Sequence, residues 1–230
     1  MSSSPGGPNR APKPRVIPRR PARAALIVLG IVALLYLLEL IDQLFFQTGF
    51  STPTRQVTGL DANGIQPREL DGLDGILWAP FLHLGFEHLV ANTVPLLVLG
   101  WLCMAGGVRQ FVAVTLVVLL VGGLGTWLTG GDGSTHLGAS GIAFGWLLFL
   151  LVRGFFNRSA GQILVAVVLF VYWGGMLWGV LPGGQPNVSW QAHLFGALGG
   201  VLAAWLVRRG DRAHRARFER GDDLPGRLGT

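Results

Sequence analysis

Charge is what this chain has least of. Of its 230 residues only 13% are Asp, Glu, Lys or Arg, about half the share of an ordinary soluble chain. Too few polar side chains remain to cover a water-facing surface, which excludes a soluble globular domain. Lys13 is the single lysine among eighteen basic residues. Cys103 is the single cysteine, which excludes an intramolecular disulfide framework and a cysteine-rich metal site. What the chain has instead is apolar residues, 50% of the total, and 35 glycines, about twice the usual glycine share. Several apolar runs approach or exceed the ~18 residues that mark a bilayer-spanning helix. Glycine-rich membrane helices pack backbone to backbone. The expected class is therefore an all-α, multi-pass membrane protein.

Residues 1–23 hold six of the thirteen prolines and six basic residues. Nothing there can bury a core, so a disordered basic tail is expected. The first apolar run, Ala24 to Phe46, is about 35 Å long as a helix, enough to cross a hydrocarbon core of ~30 Å. It ends in Leu44-Phe45-Phe46 rather than a small-residue cleavage site, so no signal-peptide processing is expected. Residues 47–78 form a long polar connection, of a length that is often functional or carries short helices of its own. Five apolar stretches follow, near residues 87–104, 111–128, 139–152, 162–181 and 192–207. The third and fifth of these are short, and polar flanks would then lie at membrane depth, where they need buried protein or a wet cavity.

Six spans put both termini on one side. Sixteen of the eighteen basic residues fall on that side and only Arg55 and Arg68 on the other; Arg153 and Arg158 are counted in the turn after the fourth span. By the positive-inside rule both tails are expected in the cytoplasm. Residues 24–207 are then a six-span membrane domain, 47–78 its extracytoplasmic loop and 208–230 a second basic tail. The formal charge of +6 follows from topology and contact with anionic lipid, so no nucleic-acid partner is expected. The expected location is a cell membrane, the plasma membrane of a bacterium.

Polar residues inside spans are expensive and therefore informative. His88 and Asn92, four apart, share a helix face at the start of the second span; His83 lies just before it. Interhelical hydrogen bonding explains these equally well. Gly138-Ala139-Ser140-Gly141 opens the fourth span, leaving room around the Ser140 hydroxyl and placing its backbone N–H in the first helical turn. A serine cap with glycine packing is the plainer account. His193 opens the sixth span, and Gly196 and Gly200 on its face permit very close helix approach. Glu39 and Asp42, near the outer end of the first span, read as structural. Spans two, four and six run in one direction. His88, Ser140 and His193 therefore lie at similar depth near the extracytoplasmic face, as a nucleophile, a base and oxyanion donors would.

These residues resemble one known family, the rhomboid intramembrane serine proteases. The likeness rests on His83, His88 and Asn92, on Gly138-Ala139-Ser140-Gly141, and on Ala192-His193 followed by Gly196 and Gly200, in that order along six spans. It implies a six-helix rhomboid-type bundle in which Ser140 attacks the peptide bond and His193 is its base. It further implies an oxyanion hole from His88, Asn92 and the Ser140 N–H, with His83 ordering the cavity. Phe144 stands where the family often has a tyrosine packed on the base. The family's frequent Trp-Arg pair is absent from the 47–78 loop. The implied substrates are transmembrane segments of single-span or other membrane proteins, with no cofactor and no metal.

Three alternatives remain open at this level. The first is a catalytically silent relative acting as membrane chaperone or trafficking factor, although such relatives usually lack the serine or the histidine. The second is a zinc protease or metal transporter using His83, His88 and His193, although the His-Glu-x-x-His helix is absent. The third is a small-solute transporter, whose sites would lie near the midplane with repeat symmetry.

Overall fold

Proline at the first position of a helix loses no hydrogen bond that the helix could have made, and the first helix accordingly starts at Pro21 rather than at Ala24. The computed structural model describes residues 14–46, 57–183 and 188–220, with side chains through residue 213. In chain order the helices are α1 (Pro21–Ile41), short α2 (Gly75–Trp78), α3 (Phe86–Cys103), α4 (Val108–Thr129), α5 (Ser140–Asn157), α6 (Ala160–Trp173) and α7 (Trp190–Arg220). A π turn, Asp42–Phe46, extends α1, and a 3-10 segment, Gly174–Val180, extends α6. Six helices, all but α2, are long and apolar enough to cross a membrane. No strand occurs among the described residues, only one isolated bridge between Ile65 and His136.

Helix α5 is the axis of the bundle. It packs against α7, α6, α4 and α3, and the core around it includes Leu99, Val114, Val118, Ala143, Leu147, Leu150 and Ala203. Lipid supplies no hydrophobic drive between helices, so close packing of small residues does the work. The α5–α7 contact shows it. A Cβ at Gly196 would overlap the Gly141 carbonyl oxygen, and one at Gly200 would overlap the Gly145 carbonyl oxygen. The outward faces carry exposed Leu116, Leu120, Leu124, Val167 and Val171, as expected of surfaces that meet acyl chains.

The sequence boundaries shift in three further places. The sixth apolar helix continues past Val207 to Arg220, since nothing between them breaks it but the single Gly210. The fifth apolar run is α-helical only to Trp173 and then tightens into the 3-10 segment. Arg153, assigned to a turn, lies inside α5 and is 4% exposed. Of the tail expected to be disordered, residues 1–23, the part up to residue 13 falls outside the described residues, whereas the Arg15 carbonyl accepts from Gln162 and Pro21 to Arg23 are helical. Residues 221–230 of the basic tail and part of the 47–78 connection also fall outside them. The rest of that connection carries turns and α2 around a small cluster of Ile65, Ile76 and Ala79.

Candidate active site

Ser140 is the first residue of α5 and is half-buried. The loop that delivers it turns at Gly138, whose φ of +110° is a conformation that side chains rarely adopt. A Cβ at Gly138 would also stand 2.6 Å from the His88 ring. Two hydrogen bonds brace the loop against the turn before α3. The Gly138 N–H donates to the Ala79 carbonyl at 2.8 Å, and the Ala139 N–H donates to His83 Nε2 at 3.3 Å.

His193 Nε2 lies 2.8 Å from Ser140 Oγ. Its other ring nitrogen, Nδ1, lies 3.1 Å from the Gly179 carbonyl oxygen. A carbonyl can only accept, so Nδ1 carries the proton. Nε2 is then the acceptor, and the serine hydroxyl donates to it. The Phe144 ring lies face to face with the imidazole, centroids 4.0 Å apart and planes 9° apart. Among the described residues no carboxylate orients the histidine; Glu87 is exposed on α3. The imidazole is held by a backbone carbonyl, an aromatic face and the glycine contact one turn further along α7.

The donors expected around an oxyanion are arranged less simply. His88 stands beside Gly138 and packs edge-on to His83, centroids 5.2 Å apart. Asn92 is buried, but its Nδ2 donates to the His88 carbonyl at 3.0 Å within its own helix. One amide hydrogen is thus committed and one remains. His83 is 1% exposed. Burial, then the neighbouring His88, push its pKa down to about 3, so the ring is neutral. Because Nε2 accepts from Ala139, its proton sits on Nδ1, which is buried and makes no hydrogen bond among the described residues.

Several participants carry no mark in the sequence. Gly179 acts through its carbonyl, which any residue possesses. His136 joins the Ser140 loop to α7: its Nδ1 lies 2.7 Å from Ser189 Oγ and its Nε2 2.9 Å from Ser134 Oγ. Ser189 in turn accepts from the Ala192 N–H at 3.2 Å. Burial holds the His136 pKa below its ordinary value. Glu39 and Asp42, read from the sequence as structural, lie at the end of α1 and in the π turn that follows it. They are buried, and Asp42 Oδ1 accepts from the Leu60 N–H at 2.6 Å. Asp61 completes this group, accepting from the His83 backbone N–H. Burial, then the charges of Asp42 and Glu39, push its pKa up to about 7.

A cavity of about 40 Å³, lined by Val118, Gly122, Thr126, His136, Gly138 and Gly141 among others, adjoins this loop. It has room for a small side chain or a few waters. Among the described residues no group of three His, Cys, Asp or Glu side chains is placed to hold a metal ion.

A family model described as "Rhomboid domain" matches residues 73–210. An uncharacterized protein of Mycobacterium tuberculosis is 50% identical over 197 residues, spanning 82% of this chain and 77% of its own length. One from Mycobacterium leprae is 49% identical over 205 residues, spanning 86% and 77%. The "putative rhomboid protease YdcA" of Bacillus subtilis is 29% identical over 136 residues, spanning 58% of this chain and 67% of its own.

Proposed function

The chain belongs to the rhomboid family, and on that premise we propose that it is a serine endopeptidase that cleaves transmembrane segments of other membrane proteins near the extracytoplasmic face. The observation that carries the reading is the 2.8 Å contact between Ser140 Oγ and His193 Nε2, with Nδ1 anchored on Gly179.

Ser140 Oγ attacks the scissile carbonyl carbon while its proton passes to His193 Nε2. The carbonyl oxygen becomes an oxyanion, stabilised by the Ser140 backbone N–H, His88 and the uncommitted N–H of Asn92. The C–N bond then breaks, and the imidazolium returns its proton to the leaving amine. Water, deprotonated by His193, hydrolyses the acyl-enzyme and restores Ser140. Two neutral groups suffice for the proton traffic because packing and the Gly179 carbonyl fix the imidazole. The substrate helix must unwind locally, since a helical peptide bond is shielded from the hydroxyl.

The test needs no known substrate. A fluorophosphonate probe should label the detergent-purified protein at Ser140, and neither Ser140→Ala nor His193→Ala should be labelled. Co-expression with a panel of single-span reporters should then yield products with wild type and none with Ser140→Ala, and chelators should leave cleavage unchanged. Absence of labelling in folded wild-type protein assigns the chain to the catalytically silent relatives.

A further inference from the structure

The end of the bundle away from Ser140 contains a second polar cavity, of about 500 Å³. The end of α5, the middle of α7 from Ala204 to Arg212, the start of α6, the α3–α4 turn and the segment before α1 line it. Among the described residues five arginines line it, namely Arg15, Arg19, Arg153, Arg208 and Arg212, with one carboxylate, Asp211.

Two of these arginines are unusual. Arg153, 4% exposed, makes no ion pair among the described residues, and its Nη2 is buried without a hydrogen-bond partner. The Nε of Arg208 is likewise buried and unpartnered. Each guanidinium lies over a ring, Arg153 over Phe149 at 5.6 Å and Arg208 over Phe156 at 5.8 Å. Those contacts support the charge but satisfy none of its N–H donors in the ordinary way. A buried cation with an unmet donor, as at Arg153, is strongly unfavourable by itself, and the half-buried Arg208 turns toward the same cavity.

The enclosure is built rather than incidental. Gln162 Nε2 donates to the Arg15 carbonyl at 2.9 Å, and Asn157 Nδ2 donates to Gln162 Oε1 at 3.0 Å. The segment before α1 is thereby laced onto the start of α6, which brings Arg15 and Arg19 to the rim.

We propose that this cavity binds a phosphate group, carried either by an anionic phospholipid headgroup or by a soluble phosphate. Planar guanidinium forks match phosphate oxygens in pairs. Basic pockets between spans at the end of a bundle are where lipid headgroups are captured. The cavity is large enough for a headgroup beyond the phosphate itself. This inference does not depend on proteolysis, and Ser140 stands at the other end of α5.

The test uses the full chain in nanodiscs, read by melting temperature. One arm compares phosphatidylcholine alone with phosphatidylcholine containing phosphatidylglycerol. The other titrates inorganic phosphate against chloride of equal ionic strength in phosphatidylcholine discs. Wild type should be stabilised in one arm; the first assigns a lipid source and the second a soluble one. Arg153→Gln and Arg208→Gln should lose about tenfold or more in apparent affinity, while Arg109→Gln, outside this cavity, should keep it. In phosphatidylcholine alone Arg153→Gln should melt at or above wild type, because it removes a buried unpaired charge. If Arg153→Gln does not fold, Arg208→Gln decides, and a full response from it overturns the site. No response of wild type in either arm, or an equal loss in Arg109→Gln, overturns it as well.

Discussion

Gly196→Ala changes one hydrogen into a methyl group, yet it should disable the site. Ordinary contacts of a Cβ begin near 3.4 Å. At Gly196 a Cβ would overlap the Gly141 carbonyl oxygen and stand 3.0 Å from its carbonyl carbon. Both are backbone atoms of α5, so neither can rotate aside. Relief requires α7 to retreat from α5 by about 1 Å. His193 sits three residues earlier on the same helix and moves with it. Its 2.8 Å contact with Ser140 would then lengthen beyond about 3.5 Å, where a hydrogen bond is lost. Misplacement of a reacting group by about 1 Å lowers the rate by about 10²-fold. The stability effect should be smaller. Overpacking costs about 1–3 kcal/mol, offset by about 1 kcal/mol from replacing glycine by alanine in a helix. Gly122→Ala is the control. It faces the same glycine from α4, but its Cβ would meet Gly196 Cα at an ordinary 3.4 Å, so it should cleave at nearly the wild-type rate. Cleavage of a single-span reporter and melting temperature are measured on the same purified samples. Wild-type cleavage by Gly196→Ala, or equal losses in both variants, refutes the argument.

Further outcomes follow from the same geometry. Ser140→Ala and His193→Ala should each abolish cleavage, and the double variant should be no slower, because residues acting as one unit are non-additive; multiplicative losses in single-turnover assays would separate the two. Asn92→Ala should lower the rate by about 10²–10³ with little change in apparent substrate affinity, and Asn92→Asp should be slower still; an unchanged rate with a large drop in melting temperature would make Asn92 a packing residue. His83 and Asp61 act on stability in opposite directions. With its folded pKa down at about 3, His83 contributes stability that is complete above about pH 6.5 and lost as pH falls. With its pKa up at about 7, Asp61 contributes stability at acid pH that is lost as pH rises through 7. Asp61→Asn should therefore melt above wild type at pH 8 and approach it near pH 4. The isolated His83 limb should then amount to about 1.4 kcal/mol one unit below its unfolded pKa. A melting difference that is the same at both pH values contradicts this account.

Most of the bundle could be read from the chain because lipid leaves little choice: backbone groups must be satisfied within helices, and helices must be apolar over a fixed length. Helix ends were less legible. Arg153 follows an apolar run at Val152 and looks like the start of a turn, but helical hydrogen bonding continues to Asn157. Likewise Gly174 and Gly175 give no sign that the α6 run tightens there. Within the candidate site, Ser140 and His193 stand out as polar residues at span starts and the glycines by their helical spacing, whereas Phe144 is singled out only through the family resemblance. His136 and Asp61 do not, since each matters through contacts with segments far away in sequence. Asn92 marks a different limit. Its spacing from His88 suggests two donors aimed at one point, but the same i to i+4 spacing lets its amide bond back to the His88 carbonyl.

The acceptor that fixes the His193 tautomer is a peptide carbonyl at Gly179. In a three-residue triad the equivalent group is a carboxylate, which a single codon change can delete. Here no codon change deletes it. A larger residue at 179 would crowd the imidazole and Phe144, each 3.1 Å from where its Cβ would stand, but the carbonyl would persist. Silencing of the proposed relay should therefore come from Ser140 and His193 themselves or from changes that displace them, such as those at Gly196 or in the 174–180 segment, and not from loss of the acceptor. A mutational scan should find position 179 graded by side-chain size, with alanine mildest, where those two positions tolerate nothing.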